Sequence, residues 1–202
     1  MTLCYDKFSL FCDSYHNLIL YLKWRVNKEM TMHKAKLSES EAIFSMYEQA
    51  VKIMKDQGID QWDEKYPSHD QLIEDIENEE LYVYTEDDKY LAAIVLNEDH
   101  DEETKQIPWH YTDGPSLIIH RLVVHPEARG KGLAKKLLAF AEDFAREHGY
   151  NQIRLDTYKI NVGAVKLYEK TGYELRGEMD LGKEHPFVCF EKNVKVTSKA
   201  GR

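Results

Sequence analysis

The chain has 202 residues, with 27 Lys and Arg against 36 Asp and Glu, a net charge of −9, and 43% hydrophobic and 31% charged residues. That length suits one domain with a sizeable core, and that balance suits a soluble globular protein rather than a disordered or membrane-embedded one. The acidic surplus disfavours wholesale binding to nucleic acid or an anionic membrane. Cys4, Cys12 and Cys189 are scattered and without C-x-x-C spacing, which argues against a disulfide framework or a zinc site and fits a reducing cytoplasm.

Residues 1–31 form the least regular part. Leu18–Leu22 is apolar but is bracketed by Asp13, His16, Lys23 and Arg25, and it is far too short to span a bilayer. A basic start and a small-residue cleavage site are both lacking, against a signal peptide. The segment reads as an appendage outside the chemistry. A homodimer contact, or sequence upstream of a later start at Met30 or Met32, are the other readings. The domain itself is expected over 32–194, with 195–202 a disordered tail.

Ser38-Glu-Ser-Glu41 is a capping-box pattern that opens an amphipathic helix through about Lys55. A loop, Ile59–Pro67, carries Trp62 and Tyr66, and Ser68 or Asp70 caps a short second helix ending near Glu80. Leu81–Thr85 and Tyr90–Leu96 read as antiparallel strands around Glu86–Lys89. Glu98–Glu103 is an acidic, solvent-facing loop. Leu117–Val124 is an almost unbroken apolar run, which predicts a strand buried on both faces.

The stretch that follows is the most informative. After Leu122-Val123-Val124 come a proline stop, the glycine-rich turn Arg129-Gly130-Lys131-Gly132, and an amphipathic helix to about His148. A strand that delivers such a turn onto a helix N-terminus makes a cup of N–H donors suited to a phosphate or pyrophosphate. The turn lacks the G-x-x-x-x-G-K-[ST] spacing of a nucleotide-binding P-loop. It also lacks the third glycine of a dinucleotide fingerprint, although Asp156 stands near the distance of a ribose-binding acid. Gln152–Thr157 then reads as a strand and Asn161 as the N-cap of a further helix closed by Gly172. Glu174–Asp180 and Phe187–Glu191 are the last strands, joined around Gly182.

Two segments carry a resemblance. Arg129-x-x-Gly132-x-Ala134 is similar to the R/Q-x-x-G-x-G/A motif of the GCN5-related N-acetyltransferase (GNAT) superfamily. The run from Asn161 through Ala164, Leu167, Tyr168 and Gly172 to Tyr173 resembles that superfamily's later helix and exit turn. The resemblance implies an α/β (mixed α+β) fold with a mostly antiparallel central sheet splayed at a bulge and helices on both faces. It further implies an acetyl-CoA-dependent N-acetyltransferase acting by direct attack in a ternary complex, with acetyl-CoA as co-substrate and no metal.

By the same resemblance, Arg129, Gly130, Lys131, Gly132, Leu133 and Ala134 receive the pyrophosphate. The pantetheine pairs along Leu122, Val123 and Val124, and Asn161 and Tyr168 complete the set. The Leu122 N–H is expected to hold the thioester carbonyl and the negative oxygen that develops there. Tyr168 is expected to act as general acid toward the leaving sulfur, the plainer reading being a core tyrosine with a satisfied hydroxyl. His120 is expected to act as base, because strand alternation sets it on the face of Leu122 unless a bulge intervenes. The family commonly draws its base from slightly earlier in this strand, where Ser116 and Ile118 stand; Glu79 or Glu80 is the weaker alternative. Trp62, Tyr66 and His120, with Trp109 beside them, are candidate walls for a small-molecule amine or peptide acceptor. A non-catalytic acyl-CoA sensor would need the turn but not Tyr168.

Overall fold

The computed structural model describes residues 30–195; the appendage over 1–29 and the tail beyond 195 lie outside the described residues. Seven strands form one sheet in the order β1-β2-β3-β4-β5-β7-β6. They are β1 Met30–Lys34, β2 Leu81–Glu86, β3 Lys89–Asn97, β4 Ser116–Val124, β5 Gln152–Tyr158, β6 Glu174–Met179 and β7 Phe187–Asn193. All neighbours are antiparallel except β4 and β5. Strand β1 is absent from the sequence reading. It lies at the sheet edge, paired to β2 alone, where weak alternation in Met-Thr-Met-His-Lys suffices.

Four α-helices cover the sheet: α1 Ser40–Asp56, α2 His69–Glu77, α3 Leu133–Glu147 and α4 Val162–Lys170. Alternation along β2 and β3 sorts residues between two cores. Leu81, Val83, Ala93 and Val95 pack with Ile43, Met46, Tyr47 and Leu72 of α1 and α2. Ala92, Ile94 and Leu96 face the other way, against Leu133, Leu137, Leu138 and Ala141 of α3. A third cluster, Ile107, Tyr158, Met179, Phe187 and Cys189, closes the far end of the sheet.

Helix starts differ from the patterns read in the sequence. The Ser38–Glu41 box does not form; a 3-10 turn over Leu37–Glu39 precedes α1, and the Glu39 carboxylate instead accepts the Lys36 N–H at 2.7 Å. Ser68 does cap α2, its Oγ accepting the Gln71 N–H at 3.1 Å. Helix α3 begins at Leu133 rather than Gly130, because Gly130 and Gly132 hold φ of 78° and 79° and cannot belong to a right-handed helix.

Candidate active site

The site is built by a break in the sheet. Strands β4 and β5 pair from Ser116↔Gln152 to Ile119↔Leu155 and no further. From His120 to Val124 the edge of β4 that faces β5 therefore has no ladder partner. On its other side, β4 carries a bulge against β3: Val95 pairs with His120 and Ala93 with Val123, so one extra residue is accommodated around Arg121. Arg121 holds φ of 48°, a left-handed conformation unfavourable for a side chain of its size.

Several bonds hold that strained residue. The Tyr47 hydroxyl donates to the Arg121 carbonyl at 2.7 Å. The guanidinium forks onto Asp75 of α2, Nε to Oδ2 at 2.8 Å and Nη2 to Oδ1 at 2.6 Å, and Nη1 donates to the Tyr66 hydroxyl at 3.1 Å. Both charged side chains are buried, 8% and 3% exposed. Burial raises the Asp75 carboxyl above the usual carboxylate range despite the opposing pull of Arg121.

The bulge corrects one expectation. Leu117 and Ile119 face the α3 core, but beyond Arg121 the parity switches. Leu122 and Val124 now pack on that core, and Val123 turns to the α1 side. His120 thus points away from the face of Leu122. The two still meet in one cavity, because the parted strands leave an opening through the sheet. That cavity, of about 300 Å³, is lined by residues that include Trp62, Tyr66, His120, Leu122, Asp156 and Tyr168.

A narrower cleft of about 130 Å³ joins it, lined by Leu122, Val123, Val124, Arg129, Asn161, Ala164 and Tyr168 among others. Gln61, Trp62, Leu122 and Tyr168 border both spaces. Arg129, which lines the cleft, leads into the glycine turn. Leu133, Ala134 and Lys135 occupy the first turn of α3, where no intrahelical acceptor exists for their N–H groups. A Cβ built on Gly130 or Gly132 would meet no protein atom within 4 Å, so the space above the turn is open. Arg129 and Lys131 are exposed there, whereas the Leu133 side chain is in the core. This open cup of donors, beside basic side chains, fits a diphosphate.

Tyr168 is 6% exposed and stacks edge-on toward Tyr173 and tilted toward Phe190. Among the described residues its hydroxyl makes no hydrogen bond, and it borders both spaces. Burial, then the nearby Asp156, raises its pKa, so it remains a phenol and a donor. His120 Nε2 lies 3.0 Å from the Asp99 carbonyl. A carbonyl only accepts, so the proton sits on Nε2 and Nδ1 keeps the lone pair. Burial, then Arg121, lowers the His120 pKa and holds the ring neutral.

Other candidates are placed elsewhere. The Asn161 amide is committed on both sides, Oδ1 capping the Ala164 N–H at 3.2 Å and Nδ2 donating to Gln61 at 2.8 Å, though the residue lines the cleft. Glu79 pairs with Lys34 and Glu80 accepts from Asn97, both away from the cavity. Trp109 lies under the Arg154 guanidinium at 4.4 Å, beside a smaller void rather than in the main cavity. His125 packs the turn, its Nδ1 accepting the Glu127 N–H at 3.2 Å. Asp156 lines the cavity although the sequence pattern gives it no place in the site. It follows Leu155, the last β5 residue paired to β4. Burial, then Asp101, pushes its pKa up to about 7. Its sequence signal was a carboxylate within an otherwise core-forming strand. Among the described residues, no cluster of three or more His, Cys, Asp or Glu is placed to hold a metal, and no helix is long and apolar enough to cross a membrane.

Known proteins share this fold. The profile of the Acetyltransferase (GNAT) family matches residues 46–173. An S-(2-succino)cysteine N-acetyltransferase of Bacillus subtilis is 28% identical over 130 residues, 62% of this chain and 73% of its own. The crystal structure of a GNAT-family acetyltransferase from Streptococcus agalactiae superposes with a TM-score of 0.71 at 25% identity, covering 81% of this chain and 95% of that one. An N-acetyltransferase of Thermoplasma acidophilum, solved in complex with coenzyme A, shares the fold at a TM-score of 0.63 and 18% identity, covering 82% and 99% of the two chains. A matched profile over most of the chain and a common fold make this protein a member of the GNAT acetyltransferase family, an N-acetyltransferase.

Proposed function

We propose that this N-acetyltransferase moves the acetyl group of acetyl-CoA directly to the primary amine of a small-molecule acceptor in a ternary complex. The observation that carries this reading is the continuity of the narrow cleft with the larger cavity. Gln61, Trp62, Leu122 and Tyr168 border both spaces, and Arg129, which leads into the glycine turn, lines the cleft. Bound coenzyme A in the Thermoplasma relative supports the same co-substrate here.

Acetyl-CoA supplies an acetyl group already activated as a thioester. The chain's own residues do the rest. The N–H groups of Gly130, Gly132, Leu133 and Ala134, with Arg129 and Lys131, hold the diphosphate. The open β4 edge from Leu122 to Val124 offers main-chain partners to the strand-like pantetheine. The Leu122 N–H stabilises charge on the carbonyl oxygen, a contribution typically worth about 2.7–4 kcal/mol of barrier. Tyr168 donates its hydroxyl proton toward the departing sulfur. Neutral His120, with its lone pair on Nδ1, relays protons from the acceptor. Among the described residues no cysteine borders the cavity, which supports direct transfer without an acyl-enzyme.

A small amine is favoured over a peptide by a cavity of about 300 Å³ walled by Trp62, Tyr66 and Phe187. The Bacillus relative is named for an acceptor that carries carboxylates. Here Arg121 is engaged by Asp75, and Lys183 by Asp60 and Asp63. The cations that would greet an acidic acceptor are already paired, which favours an acceptor without acid groups near its nitrogen. A thiol-release screen with acetyl-CoA against amines, amino acids, free-N-terminus peptides and aminoglycosides tests the proposal. Turnover with amines is expected. Folded protein that gives no calorimetric heat with coenzyme A would overturn it.

A further inference from the structure

We infer that Asp156 is a catalytic residue: its carboxylate receives the acceptor's ammonium group in the cavity and takes the proton that must leave before nitrogen can attack. The inference rests on the reading of the cavity as the acceptor site.

Position comes first. Ile119 and Leu155 are the last paired residues of β4 and β5, so His120 and Asp156 are the first residues past the fork. Both point away from the α3 core, to which Ile119 and Leu155 belong. Tyr168 and Leu122 reach the same cavity from the α3 side. The cavity therefore has a proton-accepting wall on one side of the sheet and a proton-donating, thioester-holding wall on the other. An acceptor lying between them presents its nitrogen to both.

Asp156 is also uncommitted. Among the described residues its carboxylate makes no hydrogen bond or ion pair. The cations around it are taken: Arg121 by Asp75, Lys183 by Asp60 and Asp63. Arg154 lies over Trp109 and donates to the Tyr111 carbonyl at 2.8 Å. The neighbouring loop contributes Asp99, His100, Asp101 and Glu103, and a charged Asp101 disfavours a charged Asp156. Across the ladder, burial pushes the Cys189 thiol up to about 12, so it stays protonated and neutral. Among the described residues no protein cation bonds the Asp156 carboxylate, and the acceptor's ammonium supplies that partner.

The chemistry balances. The ammonium gives one proton to Asp156, and the freed nitrogen pair forms the C–N bond. The C–S bond breaks with its electron pair on sulfur, which takes the Tyr168 proton. The second nitrogen proton is relayed by His120 Nδ1 and water to restore Tyr168, and Asp156 returns its own proton to solvent. A primary ammonium titrates near 10.4, so transfer to a group at about 7 is about a thousandfold less uphill than transfer to an ordinary aspartate at 3.8.

Asp156→Asn tests this in two ways. Wild-type protein carrying ¹³C-carboxyl aspartate should show one carboxyl titrating close to pH 7, and that resonance should vanish in the variant. The folded Asp156 binds a proton that the unfolded chain has lost between pH 3.8 and about 7, so stability falls as pH rises through that window. The Asn variant should accordingly melt above wild type at pH 8.5 and nearly level with it at pH 4. With acetyl-CoA and the probes tyramine, 1,4-diaminobutane and a free-N-terminus tetrapeptide, kcat/KM should fall by about 10²–10⁴ and lose its rising limb near pH 7. Asp156→Glu should restore part of the rate with a displaced limb. Calorimetry with coenzyme A separates the two levels of the argument. If coenzyme A binds neither protein, the acetyl-transfer reading fails. If it binds both and the variant keeps the wild-type rate and pH limb, or every aspartate titrates below pH 5, the role of Asp156 is refuted.

Discussion

Asp75→Ala would leave the Arg121 guanidinium buried with no counter-charge. The pair is bidentate, at 2.8 and 2.6 Å, and both side chains are under a tenth exposed. Removing one member of such a pair typically costs about 3–5 kcal/mol, because the survivor remains desolvated and unpaired. For a chain of this size each kcal/mol moves Tm by about 2–4 °C, so a fall of roughly 6–20 °C is expected. Tyr66 accepts one remaining N–H at 3.1 Å, which places the result toward the lower part of that range. Removing both members, in Asp75→Ala/Arg121→Ala, should cost less than the sum of the two single changes. The coupling is expected near the upper end of the roughly 0.5–3 kcal/mol seen between contacting residues. Urea melts followed by circular dichroism on the four proteins of the cycle give this directly. A single Asp75→Ala change that shifts Tm by less than about 2 °C, with no coupling, would refute the reasoning. It would mean that Arg121 escapes into the cavity and that something else holds the bulge.

Gly132→Ala should cost about 1–2 kcal/mol of stability, since φ of 79° is unfavourable with a Cβ although no protein atom obstructs it; calorimetry should also show weaker coenzyme A binding. Tyr168→Phe should lower turnover by about 10²–10⁴ while leaving coenzyme A affinity and Tm close to wild type, because the hydroxyl makes no bond within the described residues. Steady-state kinetics, calorimetry and melting separate that outcome from a packing defect. Asn161→Ala removes the cap on Ala164 and the bond to Gln61, and a loss of about 0.5–2 kcal/mol is expected in denaturant titration.

Two segments of the later half of the chain were legible in the sequence. The apolar run into Val124, the paired glycines, and the Asn161 to Gly172 stretch mark local geometries that few residue types tolerate. Positive φ at Gly130 and Gly132, and the Asn161 cap, follow from chemistry within a few positions of each residue. Motif order brings Leu122, Val123, Val124, Arg129, Asn161 and Tyr168 to one cleft, which Ala50, Met54, Gln61 and Thr157 also line.

The acceptor side was decided in three dimensions. An unbroken apolar run over Leu117–Val124 gives no sign of a bulge, since the strain at Arg121 is held by Tyr47 and Asp75, 74 and 46 residues away in sequence. That bulge reverses the parity of the strand and parts His120 from Leu122. Asp156 looked like an isolated acid in a strand because its character comes from burial and from Asp101, not from its neighbours in the chain. Short-range backbone chemistry wrote the glycine turn into the amino-acid order. The wall of His120 and Asp156 exists only because tertiary packing opens the sheet between β4 and β5 and buries what lies there.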